Sequence, residues 1–161
     1  MILKWHSGEV PSSLRVRQVY GIIFTEDGRV LLKEEDGRFS LAGGTPEDFD
    51  EDMEATLRRE LIEEVNTSIE TPILLGYQEV DEENHIPPYA QVRMVAMIKN
   101  IGPVQADPDN GKTYVRLLTH PEKAIKYLSW GSIGETMIKE AVMLAKEKFG
   151  LKEFVDKDEN V

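Results

Sequence analysis

Short blocks of apolar residues separated by polar turns run through the first two thirds of the chain. Residues 16–25 and 29–35 are rich in apolar and β-branched side chains, and the turn sequence EDG separates them. This arrangement predicts a β-hairpin. Two further apolar blocks, residues 71–80 and 89–101, flank a polar segment and predict two more strands joined by a loop.

Two segments show helical spacing instead. Between Met53 and Val65 the apolar side chains fall on one side of a helix, acids precede the segment, and Asn66 suits the left-handed conformation at a helix end. Between Gly131 and Phe149 apolar residues recur at every third or fourth position. That spacing predicts an amphipathic helix packed on the body of the protein.

The remaining segments connect these elements. Residues 45–52 form an acidic loop, and residues 106–113 form a turn before a short strand at 114–119. Residues 156–161 are mostly polar, and we expect this tail to be frayed. The order of strands, helix, strands and helix predicts one mixed α/β domain across residues 1–161, long enough to bury roughly 70% of the surface that the unfolded chain exposes.

Composition narrows the functional classes. The chain carries a net charge of -11 and contains no cysteine. The excess of acid argues against stable binding to nucleic acid, whose phosphates require a basic surface. No apolar run is long enough to span a membrane, the N-terminus lacks the features of a secretory signal, and disulfides and thiolate metal sites are excluded. We therefore expect a cytoplasmic protein with no membrane partner.

Residues 57–66, with the sequence LRRELIEEVN, place three carboxylates on one arc of the predicted helix. Glu60, Glu63 and Glu64 fall within roughly a quarter of its circumference. Each like-charged pair at this spacing costs about 0.2–0.5 kcal/mol on an exposed helix. Arg59 can pair with Glu63, which leaves Glu60 and Glu64 facing each other. Two interpretations stay open from spacing alone, a solvated acidic face or a site for a hard divalent cation.

A longer segment that contains this run, residues 43–66, has the sequence GGTPEDFDEDMEATLRRELIEEVN and resembles the signature box of the Nudix hydrolases. The residues that match the family's Arg-Glu-apolar-x-Glu-Glu run in place are Arg59, Glu60, Leu61, Glu63 and Glu64. The resemblance implies a single-domain α/β/α sandwich with a mixed sheet. It also implies hydrolysis of a nucleoside diphosphate linked to another moiety, which releases a nucleoside monophosphate and a phosphate-containing product.

The chain departs from that box in its loop and at its end. The spacing from Gly44 to Glu51 is one residue longer than the family's, which indicates a one-residue insertion. Glu51 keeps the family's distance to Arg59 and is therefore favoured over Asp50 for the first acidic position, without excluding Asp50. Asn66 replaces the terminal glycine, a mild change because asparagine also tolerates the left-handed conformation.

The resemblance implies a role for each matched residue. Glu63 and Glu64 would be the main ligands of Mg2+ or Mn2+, and Glu60 would be a further ligand or the general base. Arg59 would orient a glutamate through a charge-assisted hydrogen bond, and Gly43 would offer its backbone carbonyl to the metal. The predicted catalytic pair is thus Arg59 and Glu60, and the predicted metal ligands are Gly43, Glu60, Glu63 and Glu64.

Several questions stay open from the sequence. An acid from a later loop could complete the metal site, and the candidates are Glu79, Asp81, Glu82, Glu83, Asp107 and Asp109. Trp130 and Tyr89 could stack on a base, although a lone aromatic is more often part of the core. The partner is a small nucleotide that the sequence does not identify, and the oligomeric state, including a homodimer, is undetermined. The competing interpretation is a non-catalytic Nudix-like module that binds a nucleotide or a protein without turnover.

Overall fold

The computed structural model describes all 161 residues as ten strands and three helices. The strands are β1 Ile2–Ser7, β2 Arg15–Phe24, β3 Val30–Glu35, β4 Arg38–Ser40, β5 Ala42–Gly44, β6 Thr67–Ile69, β7 Ile73–Asp81, β8 Tyr89–Ile101, β9 Val115–Thr119 and β10 Glu159–Asn160. The helices are α1 Met53–Val65, α2 Pro121–Leu128 and α3 Gly131–Phe149. None of the three combines the length and the hydrophobicity that a membrane crossing requires.

All ten strands belong to one mixed sheet. Its main order is β1-β7-β8-β2-β3-β9-β10, and β4, β5 and β6 attach to β3, β2 and β8 respectively. Strands β2 and β8 run parallel, with a bulge between Val16 and Gln18. The predicted hairpin is present, but β2 meets β3 only at the pair Phe24 and Val30. Before that point β2 pairs with β5 on one side and with β8 on the other.

Helices cover both faces of the sheet. On one face α1 buries Leu57 and Leu61 completely in the first hydrophobic core. On the other face α3 packs through Met137 into a second core, which α2 completes. Successive side chains of a strand point to opposite faces, so neighbouring apolar residues of β2 enter different cores. This arrangement confirms the predicted α/β/α sandwich with a mixed sheet.

Local sequence accounts for the bounds of α1, which agree with the predicted helix. The Asp52 side chain caps the first turn by accepting a hydrogen bond from the Ala55 amide at 2.8 Å. At the other end Asn66 adopts the left-handed conformation with φ of 44°, and its amide donates to the Ile62 carbonyl at 3.1 Å. Both helix signals in the sequence are therefore correct.

The structure contains elements that the sequence pattern does not indicate. Helix α2 has eight residues, a His120 side-chain cap and Pro121 in its first turn, and it is too short for a periodicity signal. Strand β1 has only a weak pattern of apolar and polar residues, and it pairs with β7 along its whole length. The Trp5 indole of this strand donates a hydrogen bond to Glu140 of α3 at 3.0 Å. These elements depend on partners that are distant in sequence.

The C-terminal tail differs from the expectation that residues 156–161 are frayed. Strand β10 pairs with β9, and Asp158 accepts a hydrogen bond from the Thr119 hydroxyl at 2.6 Å. Glu159 forms an ion pair with Arg29 at 2.9 Å. The polar composition of the tail suggested disorder, but its polar side chains have specific partners on the body of the protein.

Candidate active site

Helix α1 holds the three predicted carboxylates beside β5. Because its apolar side is buried in the first core, the neighbouring arc faces the sheet edge. Glu64 is buried, and the side chains of Glu60 and Glu63 are only 12% and 19% exposed. A solvated acidic face would leave carboxylates of this kind in water. The burial therefore argues against that interpretation.

Arg59 connects the loop ahead of α1 to the carboxylates on the helix. Its Nε and Nη2 atoms donate to the two carboxylate oxygens of Asp50 at 3.0 and 2.9 Å. Its Nη1 atom donates to Glu60 at 3.0 Å and to Glu63 at 3.3 Å. These charge-assisted hydrogen bonds from Arg59 hold the pKa of Asp50 well below its usual range.

Asp50, and not Glu51, contacts the signature arginine. The Thr56 hydroxyl and the Glu47 amide also donate to Asp50, both at 2.9 Å. Glu51 is exposed and takes part in no ion pair. Sequence spacing favoured Glu51, but the Asp50 amide donates to the Glu47 carbonyl at 3.0 Å, and this turn directs the earlier residue toward α1.

Glu64 lies between a backbone amide and a lysine from a remote strand. The Gly43 amide donates to its Oε1 atom at 2.8 Å, and the Lys33 ammonium forms an ion pair with its Oε2 atom. Lys33 also lies 4.7 Å from the centroid of the Tyr114 ring. The contact observed at Gly43 uses its amide, and the expected metal contact through its carbonyl stays a prediction. Nothing in the sequence pattern singles out Lys33.

The glycine pair of β5 permits close approach of the backbone to its neighbours. A Cβ atom on Gly44 would lie 2.4 Å from the carboxyl carbon of Glu60. Gly43 has φ of +155°, and a Cβ atom there would lie 2.1 Å from the Val19 carbonyl oxygen. A side chain at Gly43 would force β5 away from β2, whereas a side chain at Gly44 would displace the Glu60 carboxylate. The pair therefore lets β5 lie close to β2 and leaves room for the Glu60 side chain.

The loop before β9 supplies the acids that complete the cluster. Carboxylate oxygens of Glu63, Asp107 and Asp109 all lie within 4.8 Å of one another. A turn holds this loop, because the Gly111 amide donates to the Asp107 carbonyl at 2.7 Å and the Asp109 amide donates to the Asp107 side chain at 2.9 Å. Of the six later acids considered from the sequence, the structure thus brings Asp107 and Asp109 to α1.

The carboxylates perturb one another. Burial is the main cause that raises the pKa of Glu60 to about 7, and the neighbouring charge of Glu64 adds to it. Burial also raises the pKa of Glu63, and the charges of Asp109 and Asp107 act in the same direction. Repulsion of this kind is relieved when a cation lies among the carboxylates.

A cavity of about 580 Å³ extends from Lys33 across the sheet face that carries the second core. Trp130 lines it, so one of the two aromatic candidates lies where a substrate could reach it. Tyr89 lies elsewhere, with the Arg17 guanidinium 4.7 Å from its ring centroid. Arg93 also lines the cavity and was not indicated by any motif.

The fold agrees with comparisons to known proteins. The family model described as the NUDIX domain matches residues 14–131, which include the glycine pair, α1 and the loop with Asp107 and Asp109. No curated protein sequence matches significantly.

Solved structures with the same fold span most of the chain. A mutant form of the Bacillus subtilis pyrophosphohydrolase BsRppH is 21% identical, with 93% of each chain covered and a TM-score of 0.69. The Escherichia coli ORF135 protein is 21% identical, with coverage of 87% of this chain and 98% of that one and a TM-score of 0.59. A NUDIX hydrolase from Nitrosomonas europaea is 15% identical, with 88% and 93% covered and a TM-score of 0.59. At these identities the structures show the common fold, and together with the family match over most of the sequence they establish that the chain belongs to the Nudix hydrolase family.

Proposed function

We propose that this protein hydrolyses the phosphoric anhydride of a nucleoside diphosphate linked to another moiety, with Mg2+ or Mn2+ as its cofactor. The products would be a nucleoside monophosphate and a phosphate-containing product. One observation carries the proposal: carboxylates of Glu63, Asp107 and Asp109 gather within 4.8 Å at the signature helix of a Nudix hydrolase. The name of the structural neighbour BsRppH, a pyrophosphohydrolase, accords with this bond type.

The donor set fits a hard divalent cation. Every side chain in the cluster offers carboxylate oxygens, the ligand type that Mg2+ and Mn2+ prefer. Glu60, Glu63 and Glu64 would hold the metal with the backbone of Gly43, and the loop acids Asp107 and Asp109 would join them. When bound, such a cation neutralises phosphate charge and activates water for attack on phosphorus.

The chain's own residues would orient the reacting groups. Arg59 contacts both Asp50 and Glu60, so it fixes the direction of the Glu60 carboxylate relative to the loop. Glu60 would accept the proton of the attacking water. The Gly43 amide fixes one oxygen of Glu64 and leaves the other to its cationic partner. Each of these contacts keeps a carboxylate in place before substrate arrives.

A panel of nucleoside diphosphate derivatives tests the proposal. Each compound is incubated with the protein and Mg2+ or Mn2+, and nucleoside monophosphate, pyrophosphate and phosphate are quantified by chromatography. We expect release from at least one compound, and loss of that release when a chelator replaces the metal. Absence of all three products across the panel would contradict hydrolysis and favour the binding module.

A further inference from the structure

Arg93 is a buried cation with no acidic partner. It is 3% exposed, and it forms no ion pair with any carboxylate of the chain. Its Nε atom donates to the Met137 sulfur at 3.2 Å, and its Nη1 atom donates to the Gln91 carbonyl at 3.2 Å. A sulfur atom and a carbonyl do not neutralise a guanidinium. Burial of an uncompensated charge is costly, so its presence here requires a reason.

Two aromatic rings hold the guanidinium in place. Its Cζ atom lies 4.9 Å from the Tyr20 ring centroid and 5.5 Å from the Trp130 ring centroid. Attraction to the two rings offsets part of the cost of burial, and it fixes the direction in which the donor edge points. The rings orient the charge without neutralising it.

One edge of Arg93 is free to bind a ligand. Its Nη2 atom makes no hydrogen bond within the chain. No side-chain nitrogen or oxygen that is sealed from solvent lacks a hydrogen-bond partner. The Nη2 atom therefore reaches the open volume of the cavity that Arg93 lines.

Arg93 gives the cavity an unpaired positive charge, although the chain as a whole is acidic. Lys33 and Arg93 are among its lining residues, and none of those residues is an aspartate or a glutamate. Gln91 forms the middle of a ladder of amides, since Gln78 donates to it and it donates to Gln18, both at 3.1 Å. The walls thus offer cations, amides and hydroxyl groups to an oxygen-rich ligand.

The sheet places this cavity within reach of the carboxylates. Tyr20 of β2 pairs with Gly43 of β5 on one side and with Arg93 of β8 on the other. Two strand spacings separate Gly43 from Arg93, which corresponds to roughly 10 Å. Lys33 lines the cavity and also contacts Glu64. A ligand that reaches from the carboxylates past Lys33 would therefore enter the cavity that Arg93 lines.

We propose that Arg93 binds an anionic oxygen group, a phosphate or a carboxylate, that the substrate carries away from the hydrolysed anhydride. The inference rests on the proposed function and specifies its substrate class: nucleoside diphosphate derivatives with an additional anionic group. A neutral base would satisfy the free N–H donor but would leave the charge uncompensated. A phosphate or a carboxylate does both.

Matched substrate pairs test the selectivity. NADPH differs from NADH by one phosphate, and UDP-glucuronate differs from UDP-glucose by one carboxylate in place of an alcohol. We expect kcat/KM to be at least about tenfold higher for the anionic member of one pair, because a hydrogen bond to a charged group contributes about that much. The pair that responds identifies the anion as phosphate or carboxylate.

Variants separate Arg93 from general electrostatics. Arg93→Met should reduce the ratio within the responding pair to near one, and Arg93→Lys should give an intermediate ratio. The control is Arg15→Met, which removes the same charge from an exposed position on β2 outside the cavity. It should preserve the ratio. If Arg93→Met does not fold, the ratios of the wild type and of Arg93→Lys still decide the question.

A binding measurement makes the test independent of turnover. In a Trp5→Phe background Trp130 is the only tryptophan, and it lies over the Arg93 guanidinium. Inorganic phosphate or acetate should change its fluorescence at constant ionic strength, and the change should be absent in Arg93→Met. If the protein hydrolyses a compound of the panel but shows neither selectivity within a pair nor a fluorescence change, the inference is overturned and the proposed hydrolysis stands. A fluorescence change without turnover of any compound would support the anion site and contradict the proposed hydrolysis.

Discussion

The carboxylate site on α1 and the cavity around Arg93 are opposite in charge and in the way the chain builds them. The three signature glutamates lie within residues 60–64 of one helix. Arg93 and its two aromatic neighbours come from β8, from β2 and from the residue just before α3. One helical turn gathers the first set, whereas the second exists only after strands and helices from three regions have packed together.

The difference shows that residues can act together in the fold without being close in sequence. Helical periodicity brings positions three and four apart onto one arc, so repulsion within the acidic site is visible in the amino-acid sequence alone. The cationic cavity has no local signature, because its members share a sheet face only through the order of the strands. Its charge is opposite to that of the acidic site, so a polyanionic substrate of the kind proposed would meet a cation at each end.

Removal of a signature carboxylate is the strongest test of the acidic half. Glu64→Gln should lower kcat by more than about a hundredfold, because loss of an outer partner of a metal site alone costs roughly 10–100-fold. The amide keeps the size of the side chain, so the fold should persist, with some loss of stability because Lys33 loses its acidic partner. Steady-state kinetics and thermal unfolding check both statements. Glu70→Gln, an exposed acid just beyond β6, is the matched control, and equal activity in the two variants would remove Glu64 from the site.

The loop acids test whether the site extends beyond the contiguous motif. Asp107→Asn should weaken Mn2+ binding by about tenfold or more, since it removes a buried carboxylate from the cluster. Electron paramagnetic resonance of free Mn2+ measures this affinity. Asp81→Asn, at the end of β7, should leave it unchanged. If the two variants bind Mn2+ equally, the acidic site is confined to α1.

The ion pair between Arg59 and Asp50 tests the choice between Asp50, which the structure favours, and Glu51, which the sequence spacing favours. Asp50→Asn should lower the free energy of unfolding by about 2 kcal/mol, because it weakens the charge-assisted hydrogen bonds from Arg59, whose guanidinium keeps Glu60 and Glu63 as acidic partners. Glu51→Gln should change it by less than about 0.5 kcal/mol, as is usual for exposed positions. Urea denaturation distinguishes them. The opposite order would restore Glu51 to the first acidic position.

Acidification offers a milder version of the same test. The folded-state pKa of Asp50 is depressed by Arg59, so the stability contributed by this pair is complete above the unfolded-state pKa of about 3.9. It is lost as the pH falls below that value toward the folded-state pKa. The Asp50→Asn variant lacks this contribution, so its stability should fall less steeply than that of the wild type in this range. Parallel stability curves would contradict the role of the pair.

The sequence was most informative where neighbours in the chain are neighbours in space. The bounds of α1 and α3 and the grouping of the helix acids needed only local spacing and a recognisable box. The one-residue shift from Glu51 to Asp50 could not be anticipated, because it depends on how the turn beginning at Glu47 closes. Lys33 and Arg93 were missed for a different reason, since the contacts of a single cation in a strand depend on which strands and helices lie beside it.

Short elements were missed for the same physical reason. Strand β10 and helix α2 gain their order from side-chain partners such as Thr119 and the cap at His120. Neither leaves a repeating pattern in the chain. The choice of Asp107 and Asp109 among six acids likewise depended on which loop the sheet brings to α1.

Strand β2 carries Tyr20 between Gly43 and Arg93. It therefore sets the distance between the strand next to the carboxylate site and the strand that carries Arg93. The backbone part of this span is fixed by the hydrogen bonds of the sheet. The bulge between Val16 and Gln18 lies before this segment, and the pairing of β2 with β8 is regular from Gln18 onward. On the proposed function, the register of the sheet would therefore set the length of the substrate that reaches both sites.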